Sequence, residues 1–292
     1  MVEFYISYFN AISRQDDVIL LADERTMSYF SGHLPEEQLL LATIADPWIR
    51  DVSPVFPAKS VQFKFVGGLA ASEAKSIQRT FDVFANRLGI ERKRSHWKLD
   101  GGNVVDNNCD QAIVTDKFLK DNKLTRKEAQ NHLKDALGCP YVSVIPNDDP
   151  KLGHSDGMVC FLDKHVLLVS SYEDQKFKQN LHQALSRDLP ASTKIVEVPC
   201  HPSLETYHGY ASATGIYVNC AVTEKCVYVP TFGNETQDEA ALKVIRENAN
   251  EKQVVSVDAR AVSFLGGSLR CLSWQLEGGN AKKLIDAAKS AS

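Results

Sequence analysis

The chain has 292 residues, of which 43% are hydrophobic and 24% charged, and these fractions exclude a disordered, collagen-like or coiled-coil protein. Its 33 basic and 37 acidic residues give a net charge of −4, whereas non-specific nucleic-acid binding needs a positive surface. No apolar run reaches the roughly 18 residues that span a bilayer, and the N-terminus lacks the pattern of a signal peptide. We therefore expect a cytoplasmic protein that binds neither nucleic acid nor membrane.

The cysteines of this chain predict free thiols. Their number is odd and no two form a CxxC pair, which is typical of a protein from a reducing compartment. Most should be small buried side chains. The seven are Cys109, Cys139, Cys160, Cys200, Cys220, Cys226 and Cys271.

In chain order, the predicted elements repeat one unit: an extended segment, a turn, a second extended segment, a helix and a short β-branched strand. An N-terminal unit begins with the apolar strand Val18–Ala22. The next has an alternating strand at Val61–Val66, a break at Gly67-Gly68, a helix up to Gly89 and a strand at His96–Leu99.

Three fuller copies follow, and two of their helices start with predicted capping boxes, Thr125 with Glu128 and Thr236 with Glu239. The three copies comprise Asn103–Asp106, Gln111–Thr115, Thr125–Leu137 and Tyr141–Ile145; Met158–Leu162, Val166–Ser170, Asp174–Leu185 and Lys194–Val198; and Ile216–Ala221, Cys226–Pro230, Thr236–Asn248 and Val254–Asp258. A last copy is predicted from Ala261–Phe264, Arg270–Gln275 and a helix from Asn280 to Ala288.

The pattern amounts to about five units of ββαβ character with a period of roughly 50–60 residues, which is typical of propellers and solenoids. One such unit cannot bury both its sheet and its helix, so the units must pack on one another. We predict an α/β protein with the units arranged around a common axis, as a single domain over residues 1–292. An irregular α+β sandwich is the alternative.

Four segments combine glycine with polar residues where predicted strands end or repeat units meet. Alone, each is explained by a turn or a cap. Together they offer a nucleophile, a general acid/base and three carboxylates, a set that suits a planar guanidinium substrate, because carboxylates bind this cation in a bidentate manner. The segments are Asp46–Pro54, Leu99–Asn103, Gly153–Gly157 and Leu265–Leu272, and the reactive side chains are Cys271, His154, Asp51, Asp100 and Asp156.

These four segments resemble motifs of the guanidino-group-modifying enzymes, and agmatine deiminase and the peptidylarginine deiminase-like proteins look closest. The D-x-W-x-R-D-x-G-P motif is matched by Asp46, Trp48, Arg50, Asp51 and Pro54, with Ser53 in place of glycine. The E-G-G motif is Asp100-Gly101-Gly102, and the H-x-D motif is His154 and Asp156. The G-G-x-x-H-C motif is Gly266, Gly267 and Cys271, with Arg270 where agmatine deiminase commonly has histidine.

The resemblance implies the five-bladed α/β propeller called the pentein fold. It also implies hydrolysis of a guanidinium to a ureido group and ammonia through a covalent thiouronium on Cys271. His154 would serve as acid and then base, oriented by Asp100, while Asp51 and Asp156 would bind the guanidinium. Further substrate-binding residues would be Trp48, Arg50, Asp46, Gly266 and Gly267.

The substrate is agmatine or an arginine derivative in this interpretation, and agmatine would place the protein in polyamine biosynthesis. Family agmatine deiminases carry an N-terminal extension, which this sequence lacks, and a tryptophan where Val66 stands, so free arginine and peptidyl arginine stay open. No metal or cofactor is expected, because the substrate carries its own positive charge. A homo-oligomer is compatible with the sequence.

Two other functions are compatible with the same motifs. An amidinotransferase uses the same Cys-His-acid set but admits an amine in place of water. A non-catalytic protein of this fold that binds a partner needs no nucleophile, and the presence of Cys271, His154 and three carboxylates disfavours it.

Overall fold

The computed structural model describes residues 1–291, and its strands form small separate sheets instead of one continuous sheet. The strands are β1 Leu20–Ala22, β2 Leu39–Leu41, β3 Val61–Lys64, β4 Lys93–Lys98, β5 Val105–Asp106, β6 Gln111–Thr115, β7 Tyr141–Ile145, β8 Val159–Phe161, β9 Val166–Ser170, β10 Lys194–Val198, β11 Thr206–Tyr207, β12 Tyr210–Ala211, β13 Ala221–Val222, β14 Cys226–Thr231 and β15 Gln253–Asp258. The helices are α1 Val2–Ser13, α2 Ile49–Val52, α3 Ala71–Arg87, α4 Lys117–Asn122, α5 Arg126–Leu137, α6 Gln175–Asp188, α7 Glu235–Asn248, α8 Arg260–Ser263 and α9 Gly278–Ala291.

Three sheets contain the strand–strand–helix–strand order predicted for the repeat, and all three pair their strands in the same way. In the sheet of β5, β6 and β7, the first pair is antiparallel and the second is parallel, with α5 between the parallel strands. The sheets β8-β9-β10 and β13-β14-β15 repeat this order around α6 and α7. The ββαβ order of the three fuller copies is therefore confirmed, and β6, β7, β9 and β10 have the predicted bounds, but the predicted strand Ile216–Ala221 was wrong, because β13 is only Ala221–Val222.

Two further sheets each consist of one parallel pair of strands, β1 with β2 and β3 with β4. The prediction of a last copy near the C-terminus was wrong in its strands, because residues 260–263 form the short helix α8 and 270–275 form no strand. The backbone at Arg270 and Cys271 instead bonds to Asn219 and to Arg50, and this leaves it unavailable for a ladder.

The two predicted capping boxes have different outcomes. The Thr125 hydroxyl accepts the amide N–H of Glu128 while the Glu128 carboxylate accepts the Thr125 N–H, as predicted for α5. At α7 the prediction was wrong, because the N-cap is Asn234, whose side chain accepts the N–H of Gln237. Asparagine caps at least as well as threonine, so α7 begins before Thr236.

Each repeat packs on its neighbour. Helix α6 contacts β7 of the preceding sheet, and α7 contacts β10 of the sheet before it. The two ends of the described chain cross over, since the N-terminal helix α1 packs on β15 and the C-terminal helix α9 packs on β2. The fold is thus mixed α/β with its apolar core divided among successive units, and the five-bladed propeller stays a prediction because strand pairing does not define a ring.

Helix α1 was not anticipated from the sequence. It buries Phe4, Tyr8 and Phe9, and the Tyr8 hydroxyl donates to the carbonyl of Leu269 at 3.3 Å. The first helix therefore supports the loop that carries Cys271. In the part of the chain that the structure describes, no helix has the length and apolar character needed to cross a membrane.

Candidate active site

The loop that carries Cys271 is held from several sides. The amide N–H of Arg50 donates to the Cys271 carbonyl at 3.1 Å, which ties α2 to this loop. The backbone of Gly267 lies against the ring of Trp48, since a Cβ built at Gly267 would stand 2.5 Å from the ring. Gly266 has φ of +110°, a conformation that favours glycine. The Gly-Gly pair therefore lets the loop turn beneath Trp48.

The Cys271 thiol is only 9% exposed and faces two polar side chains. Its sulfur lies 3.4 Å from Nδ2 and 3.6 Å from Oδ1 of Asn219, and 3.9 Å from Oδ2 of Asp156. Asn219 also donates to the Asp156 carbonyl at 3.2 Å. It links the third and fourth segments, and the sequence analysis missed it, although a buried asparagine inside the apolar stretch 216–221 was a usable clue.

His154 lies between two carboxylates. Its Nε2 is 3.3 Å from Oδ2 of Asp100, and its Nδ1 is 3.7 Å from Oδ1 of Asp51. Asp51 also accepts the N–H of Gly102 at 2.8 Å. A Cβ at Gly102 would come within 2.5 Å of His154 Nδ1 and 2.7 Å of Asp51 Oδ1, so only glycine allows this arrangement.

The predicted role of Asp100 depends on how closely its short side chain approaches His154. The backbone at Gly101 lies directly against the Arg50 carbonyl, and Asp100 itself accepts the N–H groups of Val66 and Gly67 at 2.7 and 3.0 Å. The contact with His154 is direct, but at 3.3 Å it is slightly longer than the 2.6–3.2 Å expected for full compensation. The close backbone at Gly101 and Gly102 therefore accompanies an aspartate that comes almost within the expected hydrogen-bond distance of His154, although its side chain is one methylene shorter than that of glutamate.

Burial and neighbouring charge shift the pKa values of these groups in different directions. Burial lowers the pKa of His154, but the charge of Asp51 and the contact with Asp100 outweigh it and raise the pKa to about 10. Burial and the charges of Asp156 and Asp51 raise the pKa of Cys271 well above that of a free thiol. At neutral pH the resting site therefore holds an imidazolium and a protonated thiol.

Asp156 is buried and forms an ion pair with Arg270 at 2.9 Å. Arg50 is 2% exposed, and its guanidinium donates to Gln275 Oε1 at 3.3 Å and to the Arg270 carbonyl at 3.5 Å. Asp46 accepts the Trp48 N–H at 2.9 Å. The contacts of Arg50 and Asp46 are thus with the protein itself, and their roles in binding substrate stay predictions.

The four predicted segments converge in the fold, because His154 contacts Asp51 and Asp100, Cys271 faces Asp156, and the charges of Asp51 and Asp156 act on both Cys271 and His154. Across residues 1–291 the structure has no group of three or more His, Cys, Asp or Glu side chains that could hold a metal ion. The chemistry available is that of a buried thiol, an imidazolium and carboxylates.

Residues 1–276 match the model of the Porphyromonas-type peptidyl-arginine deiminases. The chain belongs to this family. Its members are enzymes that hydrolyse C–N bonds in amidines, and the present chain is one of them. The match covers every segment predicted to carry chemistry.

Individual relatives are distant in sequence but extend over most of both chains. Agmatine deiminase of Medicago truncatula is 22% identical, covering 91% of this chain and 85% of its own length. Agmatine deiminase of Stutzerimonas stutzeri is 23% identical, with 91% and 84% covered. The solved agmatine deiminase of Enterococcus faecalis superposes with a TM-score of 0.77 at 19% identity, covering 94% of this chain and 87% of that one. An amidinotransferase from Microseira wollei gives 0.52 at 15% identity, covering 78% and 69%. The fold is therefore shared with these two solved structures.

Asp100→Glu is expected to lower kcat/KM by about tenfold or more, because the added methylene would overpack a site whose backbone at Gly102 already lies close to His154. Steady-state kinetics measure this, with Asp100→Asn as a second variant. The amide keeps the shape but removes the charge, so the pKa of His154 should fall. A higher kcat in Asp100→Glu would show instead that the native aspartate holds His154 too loosely.

Proposed function

We propose that this enzyme is a deiminase that hydrolyses a guanidinium substrate, agmatine or an arginine derivative, to a ureido product and ammonia. The observation that carries the proposal is the buried Cys271 thiol, 3.9 Å from the Asp156 carboxylate, together with a His154 held by Asp51 and Asp100, since the charges of Asp51 and Asp156 act on both the thiol and the imidazole. The family match and the agmatine deiminase relatives support the same reaction.

In this mechanism the substrate's charge activates the nucleophile. Asp51 and Asp156 both raise the pKa of Cys271, so a guanidinium bound between them offsets these charges and lowers that pKa. The thiol then loses its proton to solvent, and the thiolate adds to the guanidinium carbon. Substrate binding and thiolate formation are thereby coupled.

The proton that ammonia needs comes from His154. Because the pKa of His154 is raised to about 10, the ring is protonated at neutral pH and acts as the general acid when the C–N bond breaks. The neutral imidazole then takes a proton from the water that attacks the thiouronium carbon. Breakage of the C–S bond releases the ureido product and restores Cys271.

We also propose that residues 1–292 form one catalytic domain in which the repeated units close into a five-bladed propeller, and that the enzyme works in the cytoplasm. The packing of α6 on β7 and of α7 on β10, with crossing of the two chain ends, supports the ring. A ring would bring the junctions between units, where the four segments lie, to a common centre. Assembly into a homo-oligomer stays a prediction.

The test is a panel of agmatine, free arginine, a peptidyl arginine and a small alkyl guanidine, with ammonia and ureido product both quantified. Equal amounts of the two products are expected for at least one compound. An amidinotransferase would instead transfer the amidino group to an added amine such as glycine, without stoichiometric ammonia. Absence of both products across the panel would contradict the proposed activity.

A further inference from the structure

The residue beside the proposed nucleophile, Arg270, departs from the histidine that agmatine deiminase commonly has in this motif. Its side chain is buried and its guanidinium is shared between two acceptors, Asp156 Oδ2 at 2.9 Å and the Val104 carbonyl at 2.7 Å. Its own amide N–H donates to Asn219 Oδ1 at 3.1 Å. Both the side chain and the backbone of Arg270 are therefore fixed in place.

The oxygen of Asp156 that pairs with Arg270 is the same oxygen that faces the thiol. Oδ2 lies 2.9 Å from Arg270 Nη1 and 3.9 Å from Cys271 Sγ. A carboxylate rotates about its last bond unless its oxygens are held, and a charge-assisted hydrogen bond holds one of them. The contact with Arg270 thus sets which oxygen of Asp156 faces the sulfur and which is left for a substrate.

We propose that Arg270 is a positioning residue that fixes the Asp156 carboxylate against Cys271 and offsets the charge of that carboxylate at the thiol. The proposal rests on the proposed function, since it assigns Arg270 a role in the reactivity of the same nucleophile. Arg270 does not itself touch the reacting carbon in this arrangement. It acts through Asp156.

The charges around Cys271 define what removal of Arg270 should do. Burial, Asp156 and Asp51 raise the pKa of the thiol, while the Ser268 N–H and Asn219 lower it. The charged or titratable groups that act directly on the thiol are Asp51, Asp156, Arg50 and Tyr8, whereas Arg270 acts on it through its ion pair with Asp156. Loss of the Arg270 charge leaves Asp156 uncompensated beside the sulfur, so the pKa of Cys271 must rise further.

The test measures thiol reactivity without turnover. Arg270→Met, Arg270→Gln and Arg270→Lys are treated with neutral iodoacetamide and with cationic chloroacetamidine at one pH, and labelling of Cys271 is followed by peptide mass spectrometry. Below the thiol pKa, each unit of increase slows labelling tenfold, so Arg270→Met should react about tenfold more slowly or worse with iodoacetamide, and by a smaller factor with chloroacetamidine, whose own positive charge offsets Asp156. Arg270→Lys keeps the charge and should stay within about threefold of the wild type with the neutral reagent.

The matched control is Arg260→Met, which breaks an exposed arginine–aspartate pair with Asp258 at 2.6 Å on the neighbouring helix α8. It should label at the wild-type rate. Circular dichroism checks folding, and Arg270→Gln, which retains N–H donors but carries no charge, replaces Arg270→Met if the latter unfolds. Slower labelling of Arg270→Gln supports the proposal.

Wild-type labelling rates in Arg270→Met or Arg270→Gln would overturn the positioning role. Equal slowing in Arg270→Lys and Arg270→Met would also overturn it, because a purely structural side chain would give that result. Failure of the proposed function has a different outcome: a wild-type Cys271 that neither reagent labels, together with no product from any guanidine in the panel.

Discussion

Cys271→Ala is expected to abolish guanidine hydrolysis, lowering kcat below about one ten-thousandth of the wild-type value, because no other group can form the covalent intermediate. Cys271 is the cysteine that contacts both Asp156 and Asn219. Ammonia release gives the rate. Intact-protein mass spectrometry of quenched wild-type turnover should show the S-alkylthiouronium, with the added mass of the substrate less ammonia, and the variant should show none.

Cys109→Ser is the matched control for this variant. Cys109 is a partly exposed free thiol whose amide N–H donates to Asn107 Oδ1 in a surface turn. Its replacement should leave kcat within about twofold of the wild type, since surface substitutions are usually close to neutral. Substantial activity in Cys271→Ala would rule out covalent catalysis at this position and, with it, the assignment of the loop.

Asp51→Asn and Asp156→Asn should each lower kcat/KM by at least about a hundredfold, because a buried cation that loses its charged partner is destabilised by about 3–5 kcal/mol. Asp286→Asn, at an exposed pair with Lys282, is the control and should have no effect. If both active-site variants stay within threefold of the wild type, these carboxylates do not bind the guanidinium.

Asp51→Asn should also change how kcat/KM depends on pH. Burial and the charges of Asp100 and Asp156 raise the pKa of Asp51 to about 7, against the lowering effect of His154 and the Gly102 N–H. Asp51 is therefore protonated below that pH and loses the charge that binds a guanidinium. Wild-type kcat/KM should fall as pH decreases through about 7, and Asp51→Asn should lack this limb of the profile. A limb unchanged in Asp51→Asn would assign it to another group.

Several strands could be predicted from the sequence because their pattern is local. Strands β6, β7, β9 and β10 are runs rich in β-branched or aliphatic residues bounded by polar turns, and their pattern depends little on distant contacts. The resemblance to family motifs predicted that the motif residues belong to one site, although residues 51 and 271 lie far apart in the chain. Family motifs retain information on long-range contacts that periodicity does not contain.

The features that escaped sequence analysis depend on tertiary contacts. Nothing local indicates that Arg270 pairs with Asp156, a residue more than a hundred positions away, or that Asn219 contacts the thiol. The predicted strand at Arg270–Gln275 failed for the same reason, since its polar groups are used by the site. Helix α1 has no repeat partner in the pattern, and its burial depends on the apolar surface of β15.

Because the C-terminal helix α9 packs on the first sheet, one part of the apolar core can form only after α9 has been synthesised. Leu40 and Ala42, at the end of the first sheet, are covered by Ala288 and Leu284 of α9. These residues precede α9 by more than two hundred positions, so they emerge from the ribosome well before the helix that covers them. The apolar surface beside β2 therefore lacks this cover until α9 has been translated, and the cluster packs fully only then.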